Sequence, residues 1–277
     1  MNRIDDNIEV LEPGKRFSSY WGELWQYREL FYFLSWRDFL VRYKQTVLGV
    51  AWSVIRPILT MIVFTVVFGK LAKFPSEGVP YAIMVYCALL PWQFFATTFS
   101  EAGNSLLANA RMLTKIYFPR LIIPASSLLV NLIDFFISFV ILLGLMAYYQ
   151  FMPSWKIVFI PVFLFMAMIT SLGAGVLIVT LNVKYRDFRY VVPFVVQLGL
   201  YVSPVGFSSN IIPGKWQFLY SLNPMVGVID GFRWSILGEG YTMNWAAFSL
   251  SAALTVLFFF ISVTYFKRME KSFADII

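Results

Sequence analysis

Residues 122–148 read IIPASSLLVNLIDFFISFVILLGLMAY, an apolar run interrupted by one charged side chain, Asp134. A helix needs about 20 residues to cross the hydrocarbon core of a bilayer, so this stretch is long enough to span one. Working outward, five further apolar stretches occupy 48–69, 79–99, 157–181, 191–207 and 244–265. The expectation is an all-α membrane protein with six transmembrane helices. The fifth stretch is short and runs through Pro204 and Phe207 towards Pro213-Gly214, which leaves its outer end open.

Composition agrees. Of 277 residues, 59% are apolar, 19% aromatic and 13% charged. A soluble domain is nearer a quarter charged, and so few charges could not cover the surface of this much Phe, Leu and Val. The chain has no His and one Cys, Cys87. That excludes an intramolecular disulfide, a Cys/His zinc site and Ser-His-Asp chemistry. The net charge of +7 would suggest nucleic acid for a soluble protein. Here it reads as basic inner loops, and no nucleic-acid partner is expected. No G-x-x-x-x-G-K-[ST] occurs, so the chain has no P-loop of its own. Asp5-Asp6, at the N-terminus, reads as solvated charge, and no metal or cofactor site is expected.

Basic residues set the orientation. With the N-terminus inside, the inner segments (1–47, 100–121, 182–190 and 266–277) carry sixteen Lys and Arg against five in the outer ones (70–78, 149–156 and 208–243). This asymmetry favours both termini in the cytoplasm. The chain then divides into a cytoplasmic tail with amphipathic interface helices (1–47), a six-helix transmembrane domain (48–265) and a cytoplasmic tail (266–277). No apolar run in the first part suggests a cleavable signal peptide.

Over 36–47, Trp36, Phe39, Leu40, Tyr43 and Val47 share one helical face, and over 18–34 so do Leu24, Tyr27, Phe31 and Leu34. Both segments suit a helix lying in the inner membrane interface; the alternative is a helix packed on other protein. The stretch 208–243 is too apolar for a free loop and is broken by Pro213-Gly214 and Asn223-Pro224. Two short helices dipping into the outer leaflet fit it, since irregular backbone at that depth must be buried in protein or line a wet cavity. A plain outer cap is the alternative.

Three polar or aromatic stripes lie in the spans. Ser53, Arg56, Thr60 and Phe64 share a face of the first; Ser127, Asn131, Asp134 and Ser138 share a face of the third; Tyr190, Phe194, Gln197 and Tyr201 share a face along the fifth. Arg56 and Asp134 are the charged residues read within spans, where a charge costs at least ~2.5 kcal/mol and needs a partner, a cavity or a pathway. A structural Arg56–Asp134 pair is one reading. The aromatic stripe can stack on sugar rings, with Gln197 and the tyrosine hydroxyls bonding sugar hydroxyls. Packed or lipid-facing aromatics are the alternative.

Residues 42–49, RYKQTVLG, followed by Trp52 and Pro57, resemble the approach to the first span of ABC-2-type exporter permeases for bacterial polysaccharides. Leu89-Leu90-Pro91-Trp92, Asn109, residues 115–120 (KIYFPR), Pro124, Tyr185-Arg186-Asp187, Asn223-Pro224 and Phe266-Lys267-Arg268 resemble further motifs of that family, in order over most of the chain. The resemblance is to the O-antigen, capsule and teichoic-acid export group. It implies a homodimer in the bacterial inner membrane, docked to two copies of a separate ATPase that would bind ATP and Mg²⁺. Asn109, Lys115, Phe118, Pro119, Arg120, Arg186 and Asp187 would meet that ATPase, Leu48-Gly49 would form a gate loop at the inner mouth, and Asn223-Pro224 would be the outer re-entrant turn. Arg37, Arg42, Lys44 and Arg56 are candidates for the (pyro)phosphate of a lipid-linked polysaccharide, because guanidinium and ammonium groups suit phosphate oxygens; contact with anionic lipid is the bland alternative. Ser53, Thr60, Phe64, Tyr190, Phe194, Gln197 and Tyr201 would line the glycan path.

Rival readings are an ABC-2 exporter of a drug or small lipid, a membrane enzyme and a passive channel. The enzyme would need a catalytic carboxylate, and Asp187, Asp230 and Glu239 are isolated in sequence.

Overall fold

The computed structural model describes residues 17–44, 49–76, 78–113, 115–185, 187–270 and Phe273, and among them every regular element is helical. The chain opens with α1 (Phe17–Gln26) and α2 (Arg28–Lys44). Helix α3 (Gly49–Phe64) continues as a wider π-type helix over Thr65–Leu71. Then come α4 (Tyr81–Ala108), the one-turn α5 (Ala110–Leu113), α6 (Ile122–Tyr148), α7 (Ile160–Lys184), α8 (Phe188–Val202), α9 (Gly214–Tyr220), α10 (Pro224–Leu237) and α11 (Trp245–Met269).

Among the described residues, five stretches are long and apolar enough to cross a bilayer: Ala51–Leu71, Tyr81–Ala108, Ile122–Tyr148, Trp155–Lys184 and Trp245–Met269. The fifth expected span, 191–207, is instead the 15-residue α8, which ends at Val202. The cause is local. Ser203 precedes Pro204, a position that disfavours helical backbone, and Ser203 is extended at φ −79°, ψ 154°. Helix α4 departs the other way. No proline lies between Ser100 and Ala108, so it runs nine residues past the expected end at 99 and carries Glu101 with it.

Helix α4 is the hub, buried without a break from Ala82 to Trp92. Helices α6 and α7 flank it, α11 covers α7, and α10 is wedged among α4, α7 and α11. Small residues set the closest crossing. A Cβ on Gly175 would lie 2.5 Å from the Ala102 Cβ, so α4 and α7 can touch only because Gly175 has none. Asn182 Nδ2 adds a hydrogen bond to the Gly103 carbonyl at 2.6 Å. Helices α3 and α8 lean on α4 with one face each and leave the other open. Trp52, Leu59 and Val63 of α3 and Tyr190, Phe194 and Tyr201 of α8 are exposed.

A second cluster closes the end that carries α1 and α2. Tyr20, Leu34, Phe118, Leu121, Phe266 and Phe273 are buried there, with Leu24, Tyr27 and Phe31 packed against them. The face expected to meet lipid over 18–34 therefore packs on protein. The exposed aromatics, among the described residues, are its neighbours Trp21, Trp25, Tyr32, Phe33 and Trp36. Of the 36–47 face, Phe39, Leu40 and Tyr43 are half-buried, and Val47 lies outside the described residues.

At the opposite end the stretch 208–243 forms the expected pair of short helices. Asn223 caps α10 by accepting from the Met225 N–H at 3.0 Å, and Pro224 sits at the first helical position, where its missing N–H costs nothing. Helix α9 is largely exposed and α10 largely buried. Arg233 of α10 is 0% exposed and donates to three carbonyls: Phe207 (2.7 Å), Val205 (2.9 Å) and Met84 (3.3 Å). Two of those carbonyls lie in the irregular backbone after α8. Arg233 thus satisfies polar groups that the early end of α8 frees.

Candidate functional site

Helices α3, α4, α6 and α8 enclose a cavity of about 670 Å³. Its walls carry Trp52, Ser53, Arg56 and Thr60 from α3, Gln93, Thr97 and Glu101 from α4, Asn131, Asp134 and Ser138 from α6, and Val196 and Leu200 from α8. Each polar set repeats at three or four residues, so each lies on one helical face. Pro57 and Pro193, inside α3 and α8, are helix breakers that neighbouring spans can accommodate.

The floor of the cavity is an ionic cluster joining four helices. Arg42 Nη1 of α2 donates to Asp134 Oδ2 at 2.6 Å and to Asn131 Oδ1 at 2.9 Å, and Arg42 Nη2 pairs with Glu101. Asp134 Oδ1 accepts from the Tyr43 hydroxyl and from Ser53 Oγ at 2.8 Å. Asn131 Nδ2 donates to Glu101 Oε2 at 3.0 Å. Burial, then the hydrogen bond to Asp134, raises the Tyr43 phenol to about 12, so Tyr43 acts as a donor. The partner of Asp134 is therefore Arg42. Arg56, the partner considered from sequence, is exposed on the cavity wall, with its guanidinium 5.7 Å from the Trp52 ring centre.

The remaining expected site residues spread over the surface. Arg37 pairs with Asp38 at 2.7 Å and donates to Asn109 Oδ1 at 2.9 Å, tying α2 to the end of α4. Lys44 is exposed at the end of α2. Gly49 opens α3, and Leu48 lies outside the described residues. Phe64 is buried away from the cavity, tilted against Phe68 and stacked on Tyr201. Tyr190, Phe194, Gln197 and Tyr201 form one exposed stripe along α8, outside the cavity, with Arg189 over the Tyr190 ring at 4.9 Å.

The residues expected to meet an ATPase divide in two. Phe118 and Pro119 are buried. The Arg120 N–H donates to Glu270 Oε1 at 2.9 Å, its guanidinium to the Glu270 carbonyl, and it lies over the Phe273 ring. These three hold the C-terminal end in place. Lys115, with Ile116 and Tyr117 beside it, is exposed, as is Asp187; Arg186 lies outside the described residues. Burial pushes the Glu270 carboxyl above its ordinary range, and Arg120 pulls against that shift.

Sequence reasoning missed Glu101 because the span was ended at 99. The Gln93, Thr97, Glu101 spacing was the available signal. It also read Arg233 as an outer-loop cation. Of the carboxylates weighed for catalysis, Asp230 accepts from the Tyr241 hydroxyl at 2.7 Å and Asp187 is a surface residue. Among the described residues, no group of three or more His, Cys, Asp or Glu could hold a metal ion.

The ABC-2 type transporter family model matches residues 29–237. The O-antigen export system permease protein RfbA of Myxococcus xanthus is 28% identical over 256 residues, covering 91% of this chain and 97% of that protein. The protein of the same name from Klebsiella pneumoniae is 27% identical over 242 residues, covering 87% of this chain and 92% of its own. The inner membrane transport permease YadH of Escherichia coli K12 is 23% identical over 237 residues, covering 78% and 88%. With a match that takes in the cavity, the ionic cluster and both short helices of 208–243, the chain belongs to the ABC-2 type transporter family.

Proposed function

We propose that the chain is the transmembrane subunit of an ATP-driven exporter that moves a lipid-linked polysaccharide of O-antigen, capsule or teichoic-acid type across the bacterial inner membrane. The observation that carries this reading is the exposed stripe Tyr190, Phe194, Gln197 and Tyr201, lying beside a polar cavity with Arg56 on its wall. An exposed row of aromatic rings and an amide offers repeated weak contacts to sugar rings, and conduction needs sites that bind without holding. Two relatives that share most of the chain are named as O-antigen export permeases, which supports the same cargo class.

In this reading two copies face each other across α3 and α8, and each docks a separate ATPase subunit at the end carrying α1, α2 and the 109–121 turn. Lys115, Ile116, Tyr117 and Asp187 are the exposed contacts there. That end is cytoplasmic, with both termini inside. Helix α8 makes the fifth of the six crossings incompletely. Its 15 residues rise about 22 Å, short of a hydrocarbon core of about 30 Å. The segment after Ser203 completes the passage because its carbonyls are satisfied inside the protein. Helices α9 and α10 are then the outer re-entrant pair. ATP-driven closure of the ATPase dimer pushes the inner loops, the two halves part along α3 and α8, and the glycan threads over the stripes.

A second reading, export of a drug or small lipid, draws on an apolar groove of about 380 Å³ between α4, α7, α11 and the start of α10. ATP hydrolysis by the chain co-purified with the ATPase encoded beside it separates the two. Stimulation by lipid-linked glycan is expected. Indifference to glycans with a response to small amphiphiles would replace the first reading by the second.

A further inference from the structure

We propose that Glu101 and Asp134 are built-in stand-ins for the two phosphates of a diphosphate, holding the Arg42 fork in place until a diphosphate headgroup exchanges with them. The inference rests on the reading that the cargo is lipid-linked, and it names the charge that the site selects.

The geometry is that of an occupied anion site. The two outer nitrogens of the Arg42 guanidinium are divided between carboxylates on two different helices, Nη1 to Asp134 of α6 and Nη2 to Glu101 of α4. A guanidinium presents parallel N–H donors to carboxylate and to phosphate alike. A diphosphate offers the same fork two anionic groups on one molecule.

The second observation is that neither carboxylate depends on Arg42 alone. Asp134 Oδ1 keeps the Tyr43 and Ser53 hydroxyls, and Glu101 Oε2 keeps Asn131 Nδ2. Opening an ordinary buried pair strands a charge, which is what makes such pairs permanent. Here each carboxylate retains a neutral donor on its other oxygen when the guanidinium swings away. The cluster can also be reached: the side chains of Arg42, Asp134 and Glu101 are 25%, 21% and 38% exposed, and they form the floor of the cavity.

Charge then sets the selection. One guanidinium against two carboxylates leaves the floor negative, so an anion is not drawn in by net charge and binds only by substitution. A monophosphate can replace one carboxylate. A diphosphate replaces both, and Arg56 on the adjoining wall is placed to take excess charge. Occupation of Arg42 by the stand-ins lowers the apparent affinity by the fraction of chains in which the fork is free.

The test is calorimetric binding to the purified full-length chain in lipid nanodiscs, using farnesyl diphosphate, farnesyl monophosphate and inorganic pyrophosphate as probes. Wild type is expected to bind the diphosphate more tightly than the monophosphate. Glu101→Gln is expected to tighten diphosphate binding about tenfold, because the fork is free more often. Arg42→Gln is expected to weaken it by at least as much. Relief of charge repulsion alone also tightens anion binding, but that gain fades as salt is raised, whereas a freed fork keeps its gain at high salt. Should Glu101→Gln fail to assemble, Asp134→Asn gives the same readout; failure of both to assemble makes the carboxylates structural and overturns the proposal. Wild-type binding unmoved or weakened by a folded carboxylate variant overturns the stand-in idea alone. No diphosphate binding by any form overturns the diphosphate-linked cargo with it. Pyrophosphate equal to farnesyl diphosphate assigns recognition to the phosphates, and pyrophosphate weaker than it adds the lipid; both leave the exchange standing.

Discussion

Arg42 and Arg233 are both tied to several acceptors inside the fold, and they are held in opposite ways. Arg233 is sealed, and the partners shown for its guanidinium are backbone carbonyls of Met84, Val205 and Phe207. Arg42 is a quarter exposed and held by side chains, with a cavity above it. Carbonyls fixed in the fold cannot be exchanged for a ligand. Carboxylates beside an open cavity can. The contrast separates a guanidinium that builds the protein from one whose partners can be exchanged.

Stability measurements are the strongest way to break that comparison. Replacing Arg233 with Met removes the donor from the Val205 and Phe207 carbonyls in a dry interior, and each buried acceptor left unpaired costs about 1–3 kcal/mol. Arg233→Met is expected to lose most of its folded, monodisperse population in mild detergent by size-exclusion chromatography. Arg42→Gln is expected to remain folded, because Glu101 and Asp134 retain Asn131, Tyr43 and Ser53 as donors. Equal loss in both variants would erase the distinction between them.

The comparison also explains what the sequence could and could not reveal. Apolar run length located every long helix, because burial in lipid needs only composition and length. The cavity face of α3 was legible from Ser53, Arg56 and Thr60, since polar residues three and four apart stand out in an apolar helix. Arg42 was legible as a cation, but its partners came from α4 and α6, about 60 and 90 positions away. No spacing rule pairs residues across such separations. Arg233 was the hardest case. A guanidinium satisfied by carbonyls leaves no acidic partner to find, and the backbone break that needs it is signalled only by Ser203-Pro204. Phe64 failed for a related reason: a helical wheel places it with Thr60, but its ring turns to Phe68 and Tyr201 instead.

A smaller effect sharpens the contrast between packed and exposed aromatics. Tyr201 and Phe194 are more than half exposed, whereas Phe64, against which Tyr201 stacks, is 6% exposed. Surface substitutions usually change stability by no more than about 0.5 kcal/mol. Phe194→Ala with Tyr201→Ala is therefore expected to assemble normally and to export glycan several-fold more slowly, read as glycan reaching the outer face per unit of permease. Normal export from a fully expressed double variant would leave the stripe as lipid-facing bulk.

The smallest expected effect concerns a third arginine. Arg120 is held by Glu270 at the C-terminal end, and unlike the carboxylates on Arg42 this one sits in a packed cluster with Tyr20 and Phe273 around it. Burial, the largest influence, raises the Glu270 carboxyl above its ordinary value of 4.5, and it likewise holds the Tyr20 phenol protonated well above its usual range. A raised folded value means that the fold favours the protonated acid. The stability this contributes is complete below pH 4.5 and is lost as pH climbs through the raised value. The thermal midpoint of the wild type should fall over that window. Glu270→Gln keeps an oxygen for the Arg120 N–H and cannot ionise, so its midpoint should be flat there and stand about 2 °C above wild type at neutral pH. A variant less stable than wild type by a constant amount at every pH would mean that attraction between Arg120 and the carboxylate outweighs its burial. The tail would then be held as Arg42 is, by charge, rather than by packing.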